Sequence, residues 1–213
     1  MRTLAVLLSA CLLAGCGDAV RVVKRTIALQ EAFFRQIDKR SPTPAMRNTL
    51  RGLARSGAGD SVQALVAQGL VRLDDSTLIR RMQLMSVMLD GSEEPICAAL
   101  SRGTPGGGQM TLAMTELDGP DLEDWAALLI EAQIASLEQR PARYVTQEVL
   151  AHSVQAAMAA LPDAQEARIS SILGRFDTAS DGDACWAGRA LFREGAALPE
   201  PERSQLARGL VQP

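Results

Sequence analysis

The chain has 213 residues, 47% of them hydrophobic, and a formal net charge of −3 at pH 7. This near-neutral charge offers no basis for nucleic-acid binding, which needs a strongly basic surface. Only 3% of the residues are aromatic, whereas Ala and Leu are abundant, and this composition favours helices over sheets.

The chain begins with a short, positively charged and then apolar segment. Arg2 precedes a run of apolar or small residues from Leu4 to Gly15. This run is too short to cross a bilayer, which needs about 20 residues, and it is typical of a secretory signal peptide. It ends in Leu13-Ala14-Gly15-Cys16, which resembles the lipobox of bacterial lipoproteins. The resemblance implies cleavage before Cys16 and a lipid anchor on that cysteine. The alternative is an ordinary signal peptide in which Cys16 has no such role.

The residues after Cys16 bear on the membrane to which the anchor attaches. In the lipoproteins that this segment resembles, an Asp directly after the cysteine often retains the protein in the inner membrane. Gly17 stands at that position here, and Asp18 comes one residue later. We therefore expect a lipid-anchored protein that faces the periplasm, on the outer membrane rather than the inner one. Removing residues 1–15 leaves a chain long enough for one domain with a sizeable core, or for two small ones.

Two basic helices are predicted directly after the anchor. Apolar residues recur at helical spacing from Ala19 to Lys39, and Pro44 starts a second helix to about Arg55. Nine basic residues lie between Arg21 and Arg55, against two acidic ones. We assign residues 16–56 to the lipidated N terminus with its basic juxtamembrane helices, and residues 57–213 to a helical domain. The basic helices could lie on anionic headgroups, at about 1 kcal/mol per close charge; the alternative is ordinary solvated helix faces.

The remaining elements are also predicted to be helices. They cover about residues 60–73, 77–89, 92–103, a short segment ending near 117, and then 119–139, 146–161, 162–176, 181–195 and 199–210. No alternating strand pattern of useful length occurs. The predicted fold class is therefore all-α, as a compact multi-helix bundle.

A repeat of 44 residues is a further hypothesis. Leu73, Leu117 and Leu161 are spaced by this period, and each is followed by an Asp- or Pro-containing turn. The period is typical of two-helix solenoid repeats of the HEAT type. The alternative is chance, because nearly half of the residues are hydrophobic and apolar matches are common.

Two cysteines remain for a disulfide. Cys11 leaves with the predicted signal peptide and Cys16 is the predicted lipidation site, so Cys97 and Cys185 are left in an oxidising compartment. We predict that they pair, the alternative being two buried free thiols. A disulfide needs Cα atoms about 4.4–6.8 Å apart. Equivalent positions two repeats apart in an open solenoid would lie further apart, so this pairing favours the compact bundle.

His152 is the only histidine, and it is the first candidate for catalysis. Glu148 precedes it by one helical turn, so the pair could supply a general base. Ser153 is merely adjacent, and no nucleophile motif accompanies it. We favour an ordinary helix histidine and predict no catalytic residue.

The chain also offers little for a metal ion or a cofactor. Asp177, Asp181 and Asp183 partly imitate a calcium-binding loop, but Gly188 stands at the twelfth position, where a bidentate Glu is needed. We interpret these aspartates as helix caps and predict neither a metal site nor a cofactor.

The methionines are the last candidate for a functional site. Met82, Met85 and Met88 share helical spacing, and methionine occurs both in adaptable binding grooves and as ordinary core filling. We predict a protein-binding or assembly scaffold with an unidentified protein partner and with these methionines as candidate contacts. An immunity or inhibitor lipoprotein against a periplasmic effector or hydrolase is the first alternative, and a cell-wall enzyme is the second.

Overall fold

The computed structural model describes residues 16–56 and 59–212. The predicted signal peptide, residues 1–15, lies outside this range. The described residues form eleven α-helices and one short 3₁₀ turn, Phe176–Thr178, without a strand. The helices are α1 (Cys16–Arg40), α2 (Pro44–Ser56), α3 (Gly59–Leu70), α4 (Asp75–Gly91), α5 (Glu94–Ser101), α6 (Gly107–Met114), α7 (Gly119–Leu137), α8 (Gln147–Ala159), α9 (Asp163–Leu173), α10 (Asp181–Ala197) and α11 (Glu202–Gly209). The predicted all-α class is confirmed. Within the described ranges, no helix combines the length and the apolar character that a membrane span requires.

Several helices begin where a polar side chain replaces the missing backbone acceptor. The carboxylate of Asp74 accepts the N–H of Thr77 at 2.7 Å, and the carboxylate of Asp118 accepts the N–H of Asp121 at 3.0 Å. Thr146 performs the same role for α8. Such caps each contribute about 1 kcal/mol to helix stability. The backbone N–H of Thr77 also lowers the pKa of Asp74 below its ordinary value. The Asp-rich turns of the sequence are therefore explained by helix starts.

The core lies around α4, α7 and α10. α10 packs against α5 and α4, while α3 and α1 both pack against α7. Large apolar side chains such as Leu84, Met88 and Trp125 are buried in the main cluster. Each contributes about 1.5–3 kcal/mol relative to an exposed position.

The N-terminal helices are packed onto α7. Ile37 of α1 and Leu50 of α2 share a second apolar cluster with Ile130 of α7. Polar contacts join the same helices: the side-chain amide of Gln36 donates to Glu123 at 2.8 Å, and Arg35 pairs with the same carboxylate. These two donors lower the pKa of Glu123, with the Gln36 hydrogen bond as the largest cause. Residues 16–56 are therefore attached to the helical body by both apolar and polar contacts.

Other groups of the same chain hydrogen-bond to or pair with many of the basic residues between Arg21 and Arg55. The guanidinium of Arg25 donates to the carbonyl of Leu117 at 2.6 Å, and Arg51 pairs with Asp38 at 2.7 Å. Arg35 and Arg40 face carboxylates of α7. Of this stretch, Lys24 is one exposed cation that remains directed at solvent.

Arginine side chains tie distant helices together through backbone carbonyls. Arg189 of α10 donates to the carbonyls of Leu89 and Ser92 at 2.8 Å each, at the C-terminal end of α4. Arg208 of α11 is buried and donates to the carbonyl of Leu73 at 3.0 Å. Carbonyls at helix ends lack intrahelical donors, and the planar guanidinium offers several donors at once. At these positions a lysine could not replace the arginine, because its single ammonium group cannot reach several separate acceptors in the same way.

The 44-residue register is visible locally but not in the packing. α4, α7 and α9 each begin two residues after the buried leucines Leu73, Leu117 and Leu161. However, α3 packs chiefly against α7, and α5 against α10, so successive hairpins do not stack in chain order as in an open solenoid. The compact bundle is confirmed, while a true repeat stays a prediction.

Candidate functional site

An apolar cavity of about 510 Å³ opens between the N-terminal helices and α7. We call it the N-terminal cavity. Its apolar lining residues lie on α1, α2, α3, α6 and α7: Leu29, Phe33, Phe34, Ile37, Leu50, Leu53, Ala54, Val62, Val66, Met110, Met114, Trp125, Leu129 and Ile130. Ligand sites in proteins typically measure about 300–1,000 Å³, so this cavity is large enough to take a ligand or several side chains of a partner.

The side chains that line the cavity are uncharged. Its polar lining consists of hydroxyl and amide groups from Thr26, Gln30, Gln63, Thr111 and Gln133. Within the described lining there is no charged side chain. Burying a charge without a partner is costly, whereas removing apolar surface from water is favourable by about 25 cal/mol per Å², before the entropic cost of association is subtracted. The cavity therefore suits apolar groups that carry few polar atoms.

The position of the cavity follows from how α3 meets α7. At the C-terminal end of α3, Gly69 lies so close to α7 that an added Cβ would be 1.8 Å from the carbonyl oxygen of Ala132. The cavity runs along the N-terminal half of the same helix, at Gly59, Val62 and Val66. Because Gly69 has no side chain, the C-terminal end of α3 packs directly against α7. The rest of α3 borders the N-terminal cavity.

Side-chain contacts join α6 to α7, which together form one wall of the cavity. The indole N–H of Trp125 donates to the sulfur of Met114 at 3.1 Å, and both residues are buried. Apolar side chains are also exposed outside the cavity, since Ile27 on α1 is 52% exposed and Leu112 on α6 is 40% exposed. Ile27 precedes the lining residues Gln30 and Phe34 by three and seven positions, so it lies on the same face of α1 and extends the apolar area there.

The structure places the predicted methionine contacts in the core. Met82, Met85 and Met88 are only 1%, 3% and 0% exposed and belong to the core. α4, which carries them, is packed against α5, α6, α7, α10 and α11, so its apolar positions are covered on several sides. Their burial agrees with the alternative of core filling, and Met85 also lines a smaller pocket between α4, α5 and α10. The methionines that border the N-terminal cavity are Met110 and Met114.

His152 and Glu148, the candidate general-base pair, are not joined by a hydrogen bond or an ion pair among the described residues. The His152 side chain is 69% exposed, and its Nε2 lies 4.0 Å from a carboxylate oxygen of Glu202 on α11. Ser153 is buried, and its hydroxyl donates to the carbonyl of Val149 at 3.0 Å. The serine is thus turned into the fold, away from the histidine's exposed face.

Two of the three aspartates near α10, Asp181 and Asp183, are engaged by arginines. Asp183 accepts from Arg168 at 3.0 Å, which is the main reason that its pKa is lowered. Asp181 pairs with Arg102 at 2.8 Å. No group of three or more His, Cys, Asp or Glu residues suited to a metal ion occurs in the part of the chain that the structure describes.

The three predicted functional cysteines lie in two places. Cys97 on α5 and Cys185 on α10 are buried and come together at disulfide distance, with their Cα atoms 5.1 Å apart. Cys16 is the first residue of α1, and its side chain lies outside the described part. The paired cysteines bind two core helices to each other, which is a structural role.

Fold and site together define an all-helical protein with an open, uncharged cavity beside its N-terminal helix. No protein-family model matches the chain, and neither curated proteins nor solved structures include a significant match. The function must therefore be argued from the site.

Proposed function

We propose that this chain is a lipoprotein, anchored through Cys16 and facing the periplasm, that binds a partner protein in the N-terminal cavity. The outer membrane is the favoured location. The observation that supports this proposal best is the position of the cavity, because the helix that follows the predicted anchor also forms its wall. Anchor and binding site are thereby joined by one rigid element.

The helix geometry limits the distance between the cavity and the bilayer. α1 begins at Cys16, and its lining side chains run from Thr26 to Ile37. At 1.5 Å per residue, these positions lie roughly 15–30 Å from Cys16 along the helix. A lipid on Cys16 would thus keep the cavity within roughly this distance of the headgroups, where it could meet a membrane-associated partner.

The occupant that fits best is the apolar face of an amphipathic helix. The cavity walls are themselves helices, and the exposed side chain of Ile27, on the same face of α1 as Gln30 and Phe34, extends the apolar area beyond the cavity. A small enclosed ligand would not use that added area, whereas a helix uses apolar side chains spaced over two turns. We therefore propose groove-for-helix recognition, with catalysis playing no part in the function.

Replacing Cys16 with serine should release the protein from membranes or leave its precursor uncleaved, because serine offers no thiol for lipid attachment. Fractionation and intact-mass measurement check this result. Cys11→Ser is the matched control, since Cys11 lies within the predicted signal peptide and should tolerate the change. A Cys16→Ser variant that stays in the membrane fraction at the mature mass would disprove the anchor.

Replacing Ala54 with glutamate should weaken partner binding roughly tenfold or more, because the new carboxylate would have to be desolvated in an apolar site. Ala54 is an exposed residue of α2 that borders the cavity. Ala45 is also exposed on α2 but does not line the cavity, so Ala45→Glu is the matched control.

The partner is identified by placing a photo-crosslinking amino acid at position 54 or at position 45 in cells. We expect one protein to crosslink from position 54 only, and its co-purification to be lost with Ala54→Glu alone. Equal crosslinking from both positions, or equal behaviour of the two glutamate variants, would contradict the proposal.

A further inference from the structure

A second pocket, of about 260 Å³, lies between α4, α5, α10 and the end of α9. It shares no lining residue with the N-terminal cavity. Its wall is mostly aliphatic and aromatic, with Leu100, Phe176, Leu191 and Phe192 among its members, and Arg81 is the one charged side chain in its described lining. We call it the Arg81 pocket.

Arg81 differs from the arginines that tie the helices together. Whereas Arg102, Arg189 and Arg208 each donate to carbonyls or carboxylates, Arg81 has no hydrogen bond or ion pair with the described side chains, those of residues 22–56, 59 and 61–212, or with the described backbone. Burial lowers the pKa of its guanidinium to about 10, so the group remains cationic at neutral pH. The half-buried guanidinium therefore keeps hydrogen-bond donors that no acceptor among the described residues uses, and an incoming carboxylate could accept from them.

The pocket is held in shape by the helices around it. Cys97 and Cys185 bind α5 to α10, and each lies about one turn before a lining residue, Ser101 and Gly188 respectively. An added Cβ at Gly188 would lie 1.9 Å from the hydroxyl oxygen of Ser101, so these two helices are in close contact. The walls are thereby preorganised, which lowers the entropic cost of binding.

We propose that the Arg81 pocket binds a small amphipathic carboxylate, with its acid group on the guanidinium and its apolar part against the leucine and phenylalanine side chains. A carboxylate can accept two parallel hydrogen bonds from a guanidinium, which neither an alcohol nor an amide can reproduce. The volume lies below the usual range for drug-sized ligands and restricts the ligand to a short apolar group. A fatty acid and the C-terminal apolar residue of a peptide both carry this chemistry.

Calorimetric titration of the purified protein in lipid nanodiscs tests the proposal, with empty nanodiscs as the blank. Octanoate represents the fatty acid, N-acetyl-leucine represents the peptide end, and octanamide is the neutral match. We expect saturable binding of at least one carboxylate. The Arg81→Gln variant should bind that carboxylate roughly tenfold or more weakly, and octanamide should bind to the unchanged protein roughly tenfold or more weakly than octanoate does. Arg193→Gln is the control, because it removes the same charge from an exposed position of α10. Binding of octanoate would indicate a fatty acid, and binding of N-acetyl-leucine would indicate the C-terminal residue of a peptide.

Absence of saturable binding for both carboxylates, or equal binding by Arg81→Gln, would overturn the proposal. A second variant separates binding from folding. Arg81→Met removes the unpaired cation but keeps an apolar side chain, so its thermal midpoint without ligand should equal or exceed that of the unchanged protein. A clearly lower midpoint would assign the guanidinium to holding the fold and would likewise overturn the proposal.

Discussion

Replacing Cys97 and Cys185 together with alanine should lower the free energy of unfolding by about 4–5 kcal/mol. The two residues are 88 positions apart in sequence. In the chain-entropy model, a crosslink that closes a loop of this length restricts the unfolded chain by about that amount. Since the total stability of a domain is about 5–15 kcal/mol, the loss would be a large share of it. Urea unfolding followed by helical circular dichroism measures the effect.

Two further measurements test the disulfide itself. Alkylation of the unfolded protein without reductant should leave Cys97 and Cys185 unmodified in the intact mass. With reductant, the same treatment should add two groups at these positions. The unchanged protein, once reduced, should unfold at the same urea concentration as the double alanine variant. Two alkylated thiols in the absence of reductant would refute the pairing.

Replacing Gly69 with alanine should destabilise the protein by about 1–3 kcal/mol or more. The added Cβ would lie 1.8 Å from the backbone oxygen of Ala132, and backbone atoms cannot turn aside as a flexible side chain can. α3 must therefore move away from α7, which loosens the anchored end of the helix that borders the N-terminal cavity. The urea midpoint measures this loss.

Gly52 of α2 provides the matched control. It is an exposed helix residue with no other atom within 4 Å of an added Cβ. Gly52→Ala should therefore stabilise the protein by about 0.5–1 kcal/mol, because alanine loses less conformational freedom in a helix than glycine does. The same substitution is thus expected to have opposite signs at the two positions. A Gly69→Ala protein as stable as Gly52→Ala would show that the close approach of α3 and α7 is not rigid.

The methionines illustrate the limit of sequence periodicity for this site. Met82, Met85 and Met88 repeat at helical spacing, but this spacing states only that they share a helix face. Whether the face is covered depends on how many helices surround it, and α4 is contacted on several sides. Met110 and Met114 had no stronger signal in the sequence, yet they border the cavity because α6 packs beside α1.

The arginines also show a difference between what the sequence indicates and what the structure shows. The sequence contains almost no lysine and many arginines, which by itself indicates nothing about their partners. The structure assigns several of them to carbonyls and carboxylates that lie far away in sequence, as for Arg189 and Arg208. Arg81 has the same side chain but no partner among the described residues, and only its position in an apolar pocket makes it a candidate site.

Local chemistry in the sequence determined the helices of this protein, and tertiary packing decided its sites. Apolar spacing and helix caps such as Asp74 and Asp118 act over a few residues, so the all-α class and most helix starts could be predicted directly. The pairing of Cys97 with Cys185 was also predictable, because elimination left only these two cysteines. The N-terminal cavity and the Arg81 pocket were not predictable, since each is a space between helices that are distant in the chain. Such spaces depend on which helices approach closely, as α3 and α7 do at Gly69, and no local pattern specifies that approach.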